Sequence, residues 1–379
     1  MIYLDNAATT LKKPPEVIEA AVRAMTAFGN CGRGAHDASL DASRAVYEAR
    51  ESLSDFFHGW GAAQTVFTAN STASLNITLK GLLRPGDHVI TTELEHNSVL
   101  RPLYELEARG AELSFLQSDR QGRIDLRQLP LLLKKSTRAL VCTHASNVTG
   151  NVIDLSAAGA FARERGLLFI VDASQTAGFL PLDVQKDFID VLCFTGHKSL
   201  MGIQGAGGMI VNPAVSIRPL FSGGSGIQSF LKTHPAEMPA ALEAGTLNGP
   251  GIAALKAAVG FIRRVGMEAI FQHEMSLSRR FCAAVRSIPG VQCFGDMDAP
   301  LRCPVVSLNI GDVSSGEISD ILASSYGIAT RPGAHCAPLM HRALGTERQG
   351  TVRFSFSWYN TEEEADRAAE AVARIAEEL

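Results

Sequence analysis

The chain has 379 residues, of which 46% are hydrophobic and 20% charged, the make-up of a folded globular protein and not of a disordered one. Its net charge is −4, from 35 basic and 39 acidic residues with no long basic run, which argues against nucleic acid or an anionic membrane as the main partner. No uninterrupted apolar stretch is long enough to span a bilayer, and the length suits a large domain joined to a smaller one.

The opening M-I-Y-L-D-N-A-A-T-T lacks the basic and apolar regions of a signal peptide. From about residue 65, short apolar runs alternate with helical patterns. T-V-F-T-A (65–69) leads into a helix opening at Ser71 and Thr72, and H-V-I-T-T (88–92) into a helix over 99–109. A-E-L-S-F-L (111–116) precedes a helix over 126–134, and R-A-L-V-C-T (138–143) a helix over 156–165. G-L-L-F-I-V (166–171), D-V-L-C-F (190–194) and G-M-I-V (208–211) complete the series. This order predicts an α/β fold with a mostly parallel seven-stranded sheet covered on both faces by helices.

Residues 221–251 break the pattern with G-G-S-G and E-A-G-T-L-N-G-P-G, the composition of a functional loop. A helical pattern over 252–286 follows, then V-V-S-L-N-I (305–310), a helix over 317–325, G-I-A-T-R (327–331), T-V-R-F-S-F (351–356) and an amphipathic helix from 362. The expected division is a large domain over 15–251 and a small α+β domain over 252–379, with residues 1–14 packing on the latter. The seven cysteines are odd in number and include no C-x-x-C. Cys142, Cys193, Cys282 and Cys303 sit in apolar patterns, as buried thiols of a reducing compartment do, so the expected location is the cytoplasm.

The chemistry gathers at strand ends. In V-D-A-S-Q, Asp172 ends a wholly apolar strand; in F-T-G-H-K, Lys198 follows another, 26 residues on (198 − 172). In an open α/β sheet both lie at the edge that binds ligands. A desolvated lysine there is a nucleophilic amine suited to a Schiff base, and Asp172 could hold the proton of a pyridine nitrogen. Together they suggest an enzyme built around pyridoxal phosphate. The alternatives are a surface lysine and a helix-capping aspartate. Ser71 and Thr72, at a helix start, read either as part of an anion site or as an ordinary cap. Thr195 and His197 offer further donors for an anion, and Gln175 lies within reach of the cofactor's phenolic oxygen. His96, in E-L-E-H-N-S, and Asn147, in S-N-V-T-G, occupy strand-end positions as well.

In the second domain, R-P-G-A-H-C-A-P-L sets Cys336 in a polar Gly/Pro segment beside His335 and near Arg331, a setting that favours thiolate; a buried loop thiol is the competing reading. Arg353 lies inside an apolar strand and requires a carboxylate, from an amino-acid substrate or from a structural ion pair. The Cys/His pairs Cys31 with His36, Cys142 with His144, and His335 with Cys336 are isolated, so no metal site is expected.

Along nearly its whole length the chain resembles a class V, fold type I pyridoxal-phosphate enzyme, specifically a cysteine desulfurase or selenocysteine lyase of the Suf-like group. The resemblance rests on Y-L-D-N-A-A-T-T, G-R-G-A-H, N-S-T-A-S-L-N, E-H-N-S, S-N-V-T-G, V-D-A-S-Q, T-G-H-K, E-A-G-T, R-P-G-A-H-C-A and R-F-S-F-S-W-Y-N-T in that order. It implies that Lys198 carries the cofactor as a Schiff base, Asp172 pairs with its ring nitrogen and His96 stacks on the ring. Asn147 and Gln175 address the ring oxygen. Ser71, Thr72, Thr195 and His197 hold the phosphate, with Thr246 contributed by the second subunit of a homodimer. Arg353 binds the substrate carboxylate, Arg331 flanks the nucleophile loop, Arg33 lies in a loop at the shared interface, and Cys336 is the catalytic cysteine. The implied substrate is cysteine or selenocysteine, with sulfur passed to an acceptor protein. Ala334 and Asn70 depart from the pattern, standing where many members carry a histidine and a glycine. The rival readings are another class V enzyme, such as an aminotransferase, β-lyase or epimerase, and a non-catalytic scaffold.

Overall fold

A computed structural model describes residues 1–31 and 34–378 of the chain. The chain begins with β1 (Ile2–Tyr3), followed by two helices, α1 (Pro15–Ala27) and α2 (Asp37–Phe56). Sequence reading assigned no element to either helix, although Val17, Ala21 and Ala24, and then Ala42, Val46, Ala49 and Leu53, recur at helical spacing and are buried.

The alternating series then appears as β2 (Thr65–Thr68), α3 (Ser71–Leu82), β3 (His88–Thr92), α4 (Asn97–Glu107), β4 (Glu112–Leu116), the single turn α5 (Leu129–Leu132), β5 (Thr137–Thr143), α6 (Leu155–Glu164), β6 (Leu168–Asp172), β7 (Val191–Thr195) and β8 (Gly207–Val211). These strands form one seven-stranded sheet in the order β2-β8-β7-β6-β5-β3-β4. Pairing is parallel from β7 to β4, whereas β8 is antiparallel to both β7 and β2. Only β8 therefore runs against the rest, and the mostly parallel sheet expected from the sequence is present. β3, β6, β7 and β8 are almost wholly buried, and β6 to β8 accordingly read as continuous apolar runs instead of alternating ones, whereas only Leu116 of the edge strand β4 is buried.

Two expected helices differ. The pattern over 126–134 yields only a 3-10 turn (Leu126–Gln128) and α5, because Pro130 donates no hydrogen bond and fits only a first turn. The run over 252–286 divides into α7 (Gly249–Val265) and α8 (Met267–Val285) at Gly266, whose φ of +93° closes the first helix.

The chain ends with β9 (Val291–Phe294), β10 (Val305–Ile310), α9 (Ser315–Tyr326), β11 (Ile328–Ala329), α10 (Pro338–Leu344), β12 (Val352–Ser355) and α11 (Glu362–Glu378). β9, β10 and β12 make an antiparallel sheet in the order β12-β10-β9, and β1 pairs with β11. A first core lies under the large sheet; a second joins Leu4 to Phe281, Leu308, Phe354 and Val372. α8 spans both, with Met275 in the first core and Phe281 in the second.

Close packing on the large sheet is testable at Gly159 in α6, where an added Cβ would lie 1.9 Å from the Asp187 carbonyl oxygen. Gly159→Ala is expected to lower stability by about 1–3 kcal/mol in a urea titration, the usual cost of overpacking. Gly260→Ala, in α7 with nothing within 4 Å of the new methyl, is expected to raise it by about 0.4–1 kcal/mol.

Candidate active site

Because β2, β3, β5, β6 and β7 all run the same way, their carboxyl ends share one edge. A cavity of about 250 Å³ opens there. It is lined by Ser71, Thr72, His96, Asn147, Asp172, Gln175, Thr195, His197, Lys198, Arg331 and Arg353, residues scattered over the sequence from 71 to 353.

Asp172, the last residue of β6, is buried. Its Oδ1 accepts from Ser71 Oγ (3.1 Å), from the Ser174 amide (3.0 Å) and from Ser174 Oγ, while Oδ2 takes none of these bonds. The first turn of α3 is capped by Asn70, whose side chain accepts from the Ala73 amide at 3.0 Å. Ser71 and Thr72 are thus not the cap. Ser71 supports Asp172, and Thr72 Oγ1 meets Ser98 Oγ at 2.7 Å.

Lys198 follows β7 by three residues. Burial pushes its amine down to about 8; Asp172 opposes that shift, and Arg353 and Arg331 reinforce it. His96 caps α4, and its Nδ1 accepts from the Ser98 amide at 3.1 Å, so the neutral ring carries its proton on Nε2. Burial, then Lys198, holds His96 down to about 4, with Arg331 and Arg353 adding to the effect against Asp172. His197 is lowered to about 4 for the same first two reasons.

Arg353 on β12 is fully buried, donating to Asp5 Oδ1 (2.9 Å) and to the Asn147 carbonyl (3.1 Å). A structural partner therefore exists for this arginine, yet its Nε has none. Gln175 donates to the Ala7 carbonyl at 3.2 Å. Thr195 Oγ1, His197 Nδ1 and Asn147 Oδ1 are buried and lack partners as well. Unpaired polar atoms are expensive in a folded interior, and four in residues around one cavity mark a site that a polar group completes. Hydroxyl and imidazole at the end of β7 suit a phosphate, the free Asp172 oxygen suits a protonated ring nitrogen, and Lys198 suits an aldehyde. Pyridoxal phosphate fits this set.

Cys336 does not line the cavity. It sits in a left-handed turn with φ of +57°, directly after His335 at +48°. Each such residue costs about 1–2 kcal/mol, so the loop is held by other contacts. The Asn97 amide donates to the Cys336 carbonyl at 2.7 Å, and Asn147 Nδ2 to the His335 carbonyl at 2.7 Å. His335 Nε2 lies 3.0 Å from the Thr351 carbonyl, and burial keeps that ring neutral. The cysteine loop is thus tied to the residue after His96 and to Asn147. Thr246 is exposed, in a separate cleft with Tyr47, Arg50 and Gly226. Arg33 lies outside the described residues.

Several contributors escaped sequence reading. Asp5 and the Ala7 carbonyl come from the opening Y-L-D-N-A-A segment, and Ser98 and Ser174 follow His96 and Asp172 by two residues. Glu95, fully buried, accepts the Thr143 amide on both oxygens (2.9 and 3.0 Å) and is pushed up to about 8 by burial. A carboxylate beside a histidine at a strand end was the available signal. Among the described residues no group of three or more His, Cys, Asp or Glu can hold a metal, and no helix is long and apolar enough to cross a membrane.

A parallel α/β sheet with a lysine, a carboxylate and unpaired anion donors at its carboxyl edge defines a fold type I enzyme. Residues 2–368 match the class-V aminotransferase family, and the chain belongs to that family of pyridoxal-phosphate-dependent enzymes. It is 34% identical to a probable cysteine desulfurase of Methanothermobacter thermautotrophicus, over 99% of this chain and 94% of the relative. It is 32% identical to a cysteine desulfurase of Serratia proteamaculans, over 99% and 93%. Among solved structures, cysteine desulfurase from Thermococcus onnurineus superposes with a TM-score of 0.94 at 32% identity, covering all of this chain and 95% of the other. The Escherichia coli cysteine desulfurase CsdA gives 0.90 at 30% identity, again over all of this chain and 95% of the other.

Proposed function

We propose that the chain is a pyridoxal-phosphate-dependent cysteine desulfurase, taking L-cysteine to L-alanine and leaving the sulfur on Cys336 as a persulfide. The observation that carries this reading is a depressed-pKa lysine and a buried carboxylate lining one cavity, with the Cys336 turn fastened to the wall residue Asn147 and to Asn97, which stands between the wall residues His96 and Ser98.

Lys198 would hold the cofactor, with Asp172 against its ring nitrogen, His96 against its face, Asn147 and Gln175 toward its ring oxygen, and Ser71, Thr72, Thr195 and His197 around its phosphate. Bound there, the cofactor supplies an electron sink for the substrate's Cα. Arg353, with one nitrogen unpaired, binds the substrate carboxylate, and Arg331 adds positive charge beside it. Lys198 Nζ, neutral once deprotonated, takes the Cα proton. Cys336 thiolate then attacks the substrate sulfur: the S–S bond forms, the C–S bond breaks, and Cβ gains a proton to become the alanine methyl. No external oxidant is needed. Incubation with cysteine is expected to yield alanine and, with a reducing thiol, sulfide in equal amounts. Pyruvate and ammonia instead would favour a β-lyase, and a colourless protein that cannot take up pyridoxal phosphate would favour a scaffold. Selenocysteine, run in parallel, reports selenide release.

The same reading includes a homodimer in which Thr246 serves the partner's cavity. Ile18, Val22 and Met25 recur at helical spacing on α1 and are 52%, 49% and 64% exposed, and Phe230 is wholly exposed. Tyr47 of α2 and Ile227 meet around the Thr246 cleft. An apolar face of this extent favours a subunit contact. Sedimentation is expected to report twice the 40.5 kDa chain mass. Val22→Asp with Phe230→Asp is expected to give a monomer with weakened cofactor retention; an unchanged dimer would move the contact elsewhere.

A further inference from the structure

The loop that follows β5 and carries Asn147 is held from outside the large sheet. Its successive carbonyls accept hydrogen bonds from the C-terminal part of the chain. The Asn147 carbonyl accepts from Arg353 Nη1 (3.1 Å), that of Val148 from Ser307 Oγ (2.6 Å), that of Thr149 from Arg302 Nη2 (2.9 Å), and that of Gly150 from the Cys303 amide (2.8 Å). Arg353 lies on β12 and Ser307 on β10, both in the three-stranded sheet, while Arg302 and Cys303 immediately precede β10. The approach is close: at Gly150, with φ of +74°, an added Cβ would stand 2.8 Å from the Cys303 carbonyl oxygen.

The loop is also folded on itself. Ser146 Oγ accepts the amides of Val148 (3.2 Å) and Thr149 (3.1 Å), and the Ser146 carbonyl accepts the Gly150 amide at 3.0 Å. A shift at Thr149 is therefore passed to Asn147. Arg302 is the strut that prevents one, because its Nη2 also donates to the carbonyl of Val305, the first residue of β10, at 2.6 Å. It is almost wholly buried, its Nε has no partner, and it has no carboxylate partner among the described residues. A buried guanidinium without a counter-ion is poorly explained by stability, since an apolar side chain costs less to bury.

We propose that Arg302 is a positioning residue, which sets Asn147 against the cofactor and the Cys336 turn by fixing the 147–150 loop to β10. The proposal rests on the pyridoxal-phosphate reading above. Asn147 lines the cavity, its Nδ2 donates to the His335 carbonyl at 2.7 Å, and its Oδ1 lacks a partner. One side chain thus serves both the cofactor site and the residue before Cys336. Misplacement by about 1 Å at such a point can cost on the order of 10²-fold in rate.

The test compares Arg302→Met, Arg302→Lys, Ser307→Ala, Arg286→Gln and Asn147→Ala in the full-length protein loaded with pyridoxal phosphate. Hydrogen exchange over residues 146–151 reads the loop, and pH titration of the cofactor's visible band reads Asn147. A donor to the ring oxygen favours the unprotonated Schiff base, so Asn147→Ala is expected to raise the titration midpoint. Arg302→Met is expected to raise it too, by less, with exchange about tenfold faster and kcat reduced more than KM is changed. Ser307→Ala removes only a hydroxyl and keeps the test decisive if Arg302→Met does not fold; it is expected to act the same way, by about two- to tenfold in exchange. Arg302→Lys keeps a donor for the carbonyls and is expected to recover part of the loss. Arg286→Gln removes a nearby charge paired with Asp298 at 2.7 Å and is expected to change none of the readouts. A wild-type chain that takes up no pyridoxal phosphate overturns the site reading and the proposal with it. A coloured wild type whose titration shifts with Asn147→Ala, but not with Arg302→Met or Ser307→Ala, overturns the proposal alone, even if both variants melt earlier.

Discussion

Lys198→Ala is expected to cut alanine formation from cysteine by at least about 10⁴-fold, and borohydride is then expected to leave no cofactor covalently attached. The argument turns on which amine at this edge is free. Two lysines near the end of β7 have depressed pKa values: Lys13 and Lys198 are each lowered to about 8, chiefly by burial. Lys13, however, is engaged, donating to Thr10 Oγ1 and to the His197 carbonyl, whereas Lys198 has Asp172 and the cavity before it. Lys13→Ala should therefore retain covalent capture. Lys198→Arg keeps the positive charge but not the loss of a proton, so it is expected to be as inactive as the alanine variant. The pH dependence follows from the same shift. At pH 7 roughly a tenth of Lys198 is free base, against about 4 in 10,000 for an ordinary lysine. Cofactor capture by the resolved enzyme, divided by the rate with free N-acetyl-lysine to remove titration of the aldehyde, should rise about tenfold per unit below pH 8 and level above it. A rise continuing to pH 10 would mean that another lysine does the work.

The large sheet was legible because its inner strands are buried on both faces, so G-L-L-F-I-V and V-L-C-F announce themselves without any alternation to decode. The site was legible for a related reason: in a parallel sheet the residue after each strand is delivered to one edge, and Asp172, Lys198, His96 and Asn147 meet there from four different strands. What escaped depends on partners distant in sequence. Nothing in N-S-T-A told that Ser71 turns its hydroxyl onto Asp172 while Asn70 caps the helix, because both outcomes use the same side-chain chemistry. Asp5 meeting Arg353 across 348 positions is likewise invisible to spacing. α1 and α2 were missed although their apolar residues recur regularly; much of that periodicity is carried by alanine, which marks a helix face weakly. Gly266 ended α7 where periodicity continued unbroken into α8.

Cys336→Ala is expected to lower sulfide production from cysteine by at least about 10³-fold while the protein keeps its cofactor colour. The cysteine contributes nothing to the cavity wall, so the groups around Lys198 and Asp172 should remain as they are. Its backbone is what the fold holds: the carbonyls of residues 335 and 336 accept from Asn147 and Asn97, and alanine keeps both. Alanine bears the same left-handed φ penalty as cysteine, so stability should change little. What disappears is the sulfur that attacks the substrate's sulfur. Without that acceptor the C–S bond has no route to break with its electrons kept on Cβ. Selenocysteine discriminates further, because the weaker C–Se bond can release selenium without a cysteine nucleophile; persisting selenide in the variant would separate the two substrates by mechanism. An unchanged rate of sulfide release from cysteine, with pyruvate in place of alanine, would instead make Cys336 incidental. The lysine and carboxylate would then be serving β-elimination, in which the sulfur leaves as an anion and needs no thiolate to receive it.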